Sequence, residues 1–277
     1  MSEHVPCADL LAKEAALYDI LRGLERVAVA LSGGVDSSYL LAAAVAALGR
    51  EQVLAMTAES PFFPGDEAAL SRRVAASLGV EHRMLPFDDL ANPEVASNPV
   101  DRCYHCKRAR FGLLRDLAAA ADGAVLVHGE NADDHLQYRP GSVAAREAGA
   151  RAPLAEAGLV KADIRALARR AGLPNWDRPA AACLATRFPY DTPLTREGLE
   201  RVGRAEALLH GLLGNTALRV RDHFPIARLE LAPGDLARAA EDPLRGEIVT
   251  GLNACGYRYV ALDLAGYRSG SFDDGLQ

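Results

Sequence analysis

"RVAVALSGGVDSSYLLAAAVAALG" runs from Arg26 to Gly49, and its reading decides the fold. Val27 to Leu31 is a short apolar run with β-branched residues, long enough for a strand and too brief for a helix. Beyond the glycine–serine turn, Val35 to Leu48 has helical apolar spacing and stops at Gly49, so the stretch reads as strand, tight turn, helix. The alternation continues outward. "QVLAMTAES" reads as a second buried strand, "GDEAALSRRVAASLG" as a helix ending at Gly79, and "EHRMLPF" as a third strand. "CYHCKRARFGLLRDLAAAA" then reads as a long helix and "GAVLVHGEN" as a fourth strand. Continuous apolar strands between amphipathic helices predict an α/β fold with a parallel sheet covered on both faces. Ligands of such sheets bind beyond the carboxyl ends of the strands, so Ser32–Asp36, Ala58–Pro61 and Gly129–Asp134 are expected along one edge.

After the helix "TREGLERVGRAEALLHGLLG" the pattern changes. "ALRVRDH" and "IARLEL" read as neighbouring strands, two short helices follow, and "YRYVALDL" reads as a last strand. A smaller C-terminal α+β domain is expected over 188–277, behind a first domain over 1–187. With 49% hydrophobic and 25% charged residues the chain can bury a substantial core. The net charge of -6 argues against a broad nucleic-acid footprint. There is no apolar run long enough for a membrane span, and "MSEHVPCADLLAKEAAL" lacks the basic-then-apolar order of a signal peptide. These features predict a cytoplasmic protein with no membrane or nucleic-acid partner, in a compartment where cysteines stay reduced.

"LSGGVDSS", Leu31 to Ser38, places two glycines and three serines between a strand and a helix start. Glycines let the backbone approach a polyphosphate, helix N-terminal N–H groups point at it, and hydroxyls add donors. The octet is neither a Walker A loop nor a dinucleotide turn. It resembles the PP-loop of ATP pyrophosphatases, the adenine nucleotide alpha hydrolase-like enzymes that cleave ATP between its α and β phosphates and adenylylate a carbonyl oxygen. That resemblance implies that Ser32, Gly33, Gly34, Ser37 and Ser38 hold the pyrophosphate and that Asp36 lies beside Mg2+. In "GENADD", Asn131, Asp133 and Asp134 follow the fourth strand; they could orient the nucleotide or the magnesium, or cap a helix.

Activation of a carbonyl needs a nucleophile, which directs attention to the five cysteines. Cys103 and Cys106 in "RCYHCKRA" could be a zinc half-site, a redox pair or core residues. Cys183 in "PAAACLATRFPY", among prolines and small residues and close to Arg187, suggests an exposed loop. Cys7 and Cys255 have no partner motif and read as structural.

Three separated blocks, "LSGGVDSS", "RCYHCKRA" and "WDRPAAACLATRFPYDTPLT", resemble the LarE family, together with "GENADD", "RPG", "LRVRDH", "ARLEL" and "YVALDLAGYRSGS". The resemblance spans about Ala12 to Ser271. It implies an ATP-dependent sulfur transferase of nickel-pincer nucleotide cofactor assembly, acting on pyridinium-3,5-biscarboxylic acid mononucleotide. A carboxylate would be adenylylated, pyrophosphate released, and AMP displaced by sulfur to give a thiocarboxylate. Cys183 falls at the family's sulfur-handling cysteine. Members with that cysteine alone give up its sulfur and keep dehydroalanine; others resemble cluster-dependent thiolases. Cys103, Cys106 and Cys183 match the three cysteines that hold a [4Fe-4S] centre with one open iron, and this is the favoured reading. His105, between two of them, is expected to point elsewhere on a helix.

The resemblance also implies that Arg219 and Arg221, on one strand face by period two, and Arg268 hold the substrate phosphate, and that Glu206 serves as a general acid or base. A homo-oligomer is expected on the same ground. Two positions depart from the family pattern: Asp191 stands where glycine is expected, and Glu130 where a small residue is common. Other classes share parts of this signature. A PP-loop ligase or amidotransferase has no use for three cysteines, a tRNA thiolase should show a basic surface, and a non-catalytic nucleotide-binding protein would bind ATP without cleaving it.

Overall fold

The computed structural model describes residues 8–63, 65–136, 140–178, 182–214 and 216–268. In chain order the elements are α1 (Ala8–Arg22), β1 (Val27–Ala30), α2 (Val35–Leu48), β2 (Val53–Glu59), α3 (Gly65–Leu78), β3 (Glu81–Pro86) and α4 (Pro93–Ala96). Then come α5 (Arg102–Ala120), β4 (Val125–His128), α6 (Pro140–Glu147), α7 (Pro153–Glu156) and α8 (Lys161–Arg170). The chain continues with α9 (Arg196–Leu213), β5 (Leu218–His223), β6 (Ile226–Leu231), α10 (Pro233–Ala240), α11 (Leu244–Ala254) and β7 (Tyr259–Leu262). Two compact units share them: 1–60, 65–87 and 101–181 form the first, and 61–64, 88–100 and 182–277 the second.

The first unit is the predicted α/β fold. Its sheet has the order β3-β2-β1-β4, all parallel, with Val27 opposite Val53 on one side and Val125 on the other. Val27 and Val29 join a core with Leu17, Leu40, Val74 and Leu167 on one face, while Ala28, Leu54 and Met56 meet Phe111, Leu114 and Leu126 on the other. Helices therefore cover both faces, which is why these strands read as continuous apolar runs instead of alternating ones. Edge strand β3 does alternate. The chain winds from β1 through β2 to β3 and then returns to place β4 on the far side of β1. Such a reversal opens a crevice beyond the carboxyl ends of β1 and β4. The turns after those two strands, at Leu31–Gly34 and Gly129–Asn131, face that crevice.

The second unit pairs β5 and β6 as an antiparallel hairpin and adds β7 parallel to β6. Leu218, Val220, Ala227 and Leu229 bury one sheet face with Leu209, Ile248 and Leu252 from the helices. The opposite face carries Arg219, Arg221, Arg228 and Glu230, as period two requires.

Candidate active site

The turn after β1 is shaped by glycine. Gly33 has φ +82°, and a Cβ there would lie 2.7 Å from the Glu67 carbonyl oxygen at the start of α3, so a larger residue does not fit. Gly34 caps α2 without a side-chain acceptor, leaving the first N–H groups of the helix available to a ligand. Ser37 Oγ accepts from the Ser32 N–H at 3.1 Å and donates to the Gly34 carbonyl at 3.1 Å. The Ser32 and Ser37 hydroxyls are 3.0 Å apart. Buried Asn175 donates to the Gly33 carbonyl at 2.8 Å and to Ser38 Oγ at 2.9 Å, locking the turn from the side opposite α3. A preformed loop of this kind loses little order on binding a polyphosphate.

Asp36, in the first turn of α2, accepts from Lys161 Nζ at 2.8 and 2.7 Å and from Asn131 Nδ2 at 3.3 Å. Lys161 opens α8, and its N–H donates to Asp133 Oδ2 at 2.8 Å. Asn131 Oδ1 accepts from the Asp133 N–H at 3.0 Å, and Asp134 Oδ2 accepts from the Asn131 N–H at 3.1 Å. The loop after β4 thus closes on itself and on the loop after β1. Gly129 makes this approach possible, because a Cβ would lie 2.6 Å from the Ser37 nitrogen and 2.9 Å from the Asp36 carbonyl carbon. Glu130 is buried, with His128 Nε2 at 3.7 Å from its carboxylate. Lys161 and Asn175 were not singled out in the sequence.

Cys103 and Cys106 lie in the first two turns of α5, three residues apart and so on one helix face. Both are thiols outside any disulfide, Cys103 exposed and Cys106 partly so. Arg102 approaches the Cys103 sulfur at 3.9 Å, and His105 turns to Asp101 at 3.1 Å. Among the described residues no group of three or more His, Cys, Asp or Glu side chains gathers as a metal site. Cys255 borders the core of the second unit, and Cys7 lies outside the described residues.

In the second unit Cys183 is a partly exposed thiol outside any disulfide, with extended backbone, ahead of a 3-10 turn at Leu184–Arg187. Arg187 pins that turn. Its Nη1 donates to the Ala182 and Cys183 carbonyls at 2.8 and 3.1 Å, and its Nε and Nη2 grip Glu206 at 2.9 and 2.8 Å. Glu206 also accepts from the Val220 N–H at 3.0 Å, which ties the turn to β5. Arg221 is buried and donates to Glu230 at 2.8 Å and to the Thr186 carbonyl at 2.6 Å. Arg219 lies over the Tyr267 ring at 5.1 Å. Burial, reinforced by the charge of Arg187, pushes the Arg219 guanidinium below its ordinary value. A cation in that condition is relieved by an anion. Arg268 is exposed beyond β7. Asp191 has φ +61°, the left-handed region that favours glycine and that Asp tolerates.

The asparagine synthase family model matches residues 12–168. An uncharacterised protein of Synechocystis sp. is 41% identical over 90% of this chain and 92% of its own length. The pyridinium-3,5-bisthiocarboxylic acid mononucleotide synthase of Lactiplantibacillus plantarum is 39% identical over 97% of this chain and 96% of its own length. The chain belongs to the LarE family. It is an ATP-dependent sulfurtransferase built on the PP-loop fold. A more distant likeness, 31% identity over 62% of the chain, is to an NH(3)-dependent NAD(+) synthetase of Chlorobaculum tepidum. For a LarE protein the later blocks carry the distinction, since the ATP loop is common to the wider group. No described helix is long and apolar enough to cross a membrane.

Proposed function

We propose that this sulfurtransferase converts the carboxylates of pyridinium-3,5-biscarboxylic acid mononucleotide to thiocarboxylates for nickel-pincer nucleotide synthesis. A carboxylate oxygen attacks the α phosphorus of ATP, the bond to the β phosphate breaks, and pyrophosphate leaves. A sulfur nucleophile then adds to the acyl carbon, and the C–O bond to AMP breaks. The observation that carries this reading is Cys183, a reduced thiol whose own carbonyl is pinned by Arg187, in a chain matched over 97% of its length by a bisthiocarboxylate synthase.

Ser32, Gly33, Gly34, Ser37 and Ser38 hold the pyrophosphate portion of ATP, and Asp36 takes Mg2+ once Lys161 moves from it. Asn131 orients Asp36 and is itself held by Asp133 and Asp134. Arg219, Arg221 and Arg268 bind the substrate phosphate. Glu206, with both oxygens engaged, positions the Cys183 turn through Arg187; an acid–base role would require it to exchange one of these partners.

Cys103, Cys106 and Cys183 are the ligands we assign to a [4Fe-4S] cluster, whose open iron would supply sulfide. Their chemistry fits: three reduced thiols, two of them on one helix face. Anaerobic reconstitution with iron and sulfide tests the assignment. About four irons per chain, lost in Cys103→Ala, Cys106→Ala and Cys183→Ala, is the expected result. No iron, with Cys183 lighter by one hydrogen sulfide after reaction with ATP and substrate, would make Cys183 the sacrificial sulfur donor instead. Absence of substrate-dependent pyrophosphate release would overturn the enzymatic reading of the chain's substrate.

A further inference from the structure

Three arginines line one pocket of the first unit together with Ala69: Arg72 and Arg73 on α3, and Arg178 in the segment after α8. Among the described residues no carboxylate lines it. Arg72 is compensated by Glu59 at 3.0 Å, but Arg73 and Arg178 have no acidic partner among the described residues. In a chain of net charge -6 this is a local excess of positive charge, maintained against mutual repulsion.

The two walls are fixed, and both border the ATP loop. On one side, α3 presents the Glu67 carbonyl to Gly33, and Arg73 follows within two turns. On the other side, Asn175 bonds to Gly33 and Ser38, Trp176 lies under Arg169 at 4.9 Å, and the Arg178 carbonyl accepts from Arg165 at 3.2 Å. The Arg178 backbone is therefore held while its guanidinium has no acidic partner among the described residues. Arginines kept unpaired on anchored backbone are suited to a phosphate-type anion, which they meet in a planar fork.

We propose that Arg73 and Arg178, with Arg72 beside them, form a second polyphosphate subsite that takes inorganic pyrophosphate released from the neighbouring loop. The assignment of pyrophosphate as occupant rests on reading that loop as the ATP site. The pocket would draw the leaving group away from the acyl adenylate, and it would make the protein sensitive to accumulated pyrophosphate.

The test is calorimetric titration of the full chain with inorganic pyrophosphate, inorganic phosphate and a non-hydrolysable ATP analogue, in wild type, Arg73→Ala/Arg178→Ala, Ser37→Ala and the exposed control Arg83→Ala. Each guanidinium removed is expected to weaken pyrophosphate binding about tenfold or more, with the ATP analogue and Arg83→Ala little changed. Ser37→Ala should weaken the analogue and leave the arginine pocket occupied. Added salt should weaken pyrophosphate binding in wild type, as for any exposed charge site. Wild-type pyrophosphate affinity in the double variant overturns the proposal. So does an equal loss of pyrophosphate and analogue, which would merge the pocket with the ATP site, and so does stronger binding of phosphate than of pyrophosphate. A chain that fails to bind the analogue yet loses pyrophosphate with the arginines would refute the ATP reading and keep the pocket. Arg73→Lys/Arg178→Lys, which retains the charge and loses the fork, is expected to bind at an intermediate level, separating recognition from a folding defect.

Discussion

Replacing Arg187 by methionine should loosen the turn that carries Cys183, and the size of the effect follows from burial. The Arg187 and Glu206 side chains are 4% and 10% exposed and meet through two hydrogen bonds of 2.9 and 2.8 Å. Removing one partner of a buried pair leaves an uncompensated charge, at a cost of about 3–5 kcal/mol. Glu206 would keep only the Val220 N–H, the Ala182 carbonyl would lose the Arg187 Nη1 donor, and the Cys183 carbonyl would be left with Thr186 alone. At a few degrees per kcal/mol, Arg187→Met should lower the melting temperature by roughly 6–20 °C. Glu206→Leu should cost a similar amount, while the double variant, with no charge left to strand, should recover about 2 kcal/mol or more of the summed loss. Urea unfolding of the four chains completes the cycle. Losses that add within about 0.5 kcal/mol would show that the pair does not hold this turn. A second readout separates anchoring from bulk stability: alkylation of Cys183, followed by peptide mass spectrometry under native conditions, should accelerate in Arg187→Met. An unchanged rate would refute the claim that Arg187 pins the thiol's backbone.

Two further predictions concern the first unit. Gly129→Ala forces a Cβ to within 2.6 Å of the Ser37 backbone nitrogen, so β4 and the ATP loop must part. Overpacking of this kind costs about 1–3 kcal/mol, and nucleotide titration should show weakened binding; wild-type affinity would mean that the two loops separate freely. His82 accepts or donates at 2.9 Å to Thr57, and burial, aided by the charge of Arg72, lowers its pKa below the ordinary 6.5. As pH falls through 6.5 the unfolded chain takes up the proton before the folded one does, so stability present above 6.5 declines toward the depressed folded-state value. His82→Gln should flatten that decline in urea-unfolding measurements; an unaltered slope would assign it to other groups.

The sheet and the meeting of the loops after β1 and β4 were legible because both follow from local pattern. A strand buried on two faces has to be apolar throughout, and "LSGGVDSS" between such a strand and a helix has few physical uses besides holding phosphate. The residues that hold the site together were not legible, since their partners lie far along the chain: Lys161 is 125 residues from Asp36, and Asn175 is 137 from Ser38. Spacing carries no record of such contacts. The second unit shows the same limit, because residues 61–64 and 88–100 join it through backbone bonds such as Leu184 N–H to the Phe62 carbonyl, with no change of composition to mark them. Arg219 and Arg221 fell on one strand face as period two required, but that face also holds Glu230, which already pairs with Arg221. One signal was present and unread. On α9 the buried stripe runs through Leu199, Val202, Ala205 and Leu209, and Glu206 lies on it, whereas Glu197 and Glu200 are exposed. A carboxylate on an apolar stripe requires a cation, and an arginine set among Leu184, Ala185 and Phe188 has the matching need. Arg201, on the same stripe, finds Asp222 at 2.8 Å by the same rule. Helical periodicity can therefore show that a charge will be buried and what sign its partner must have, while the partner's identity comes only from the folded chain.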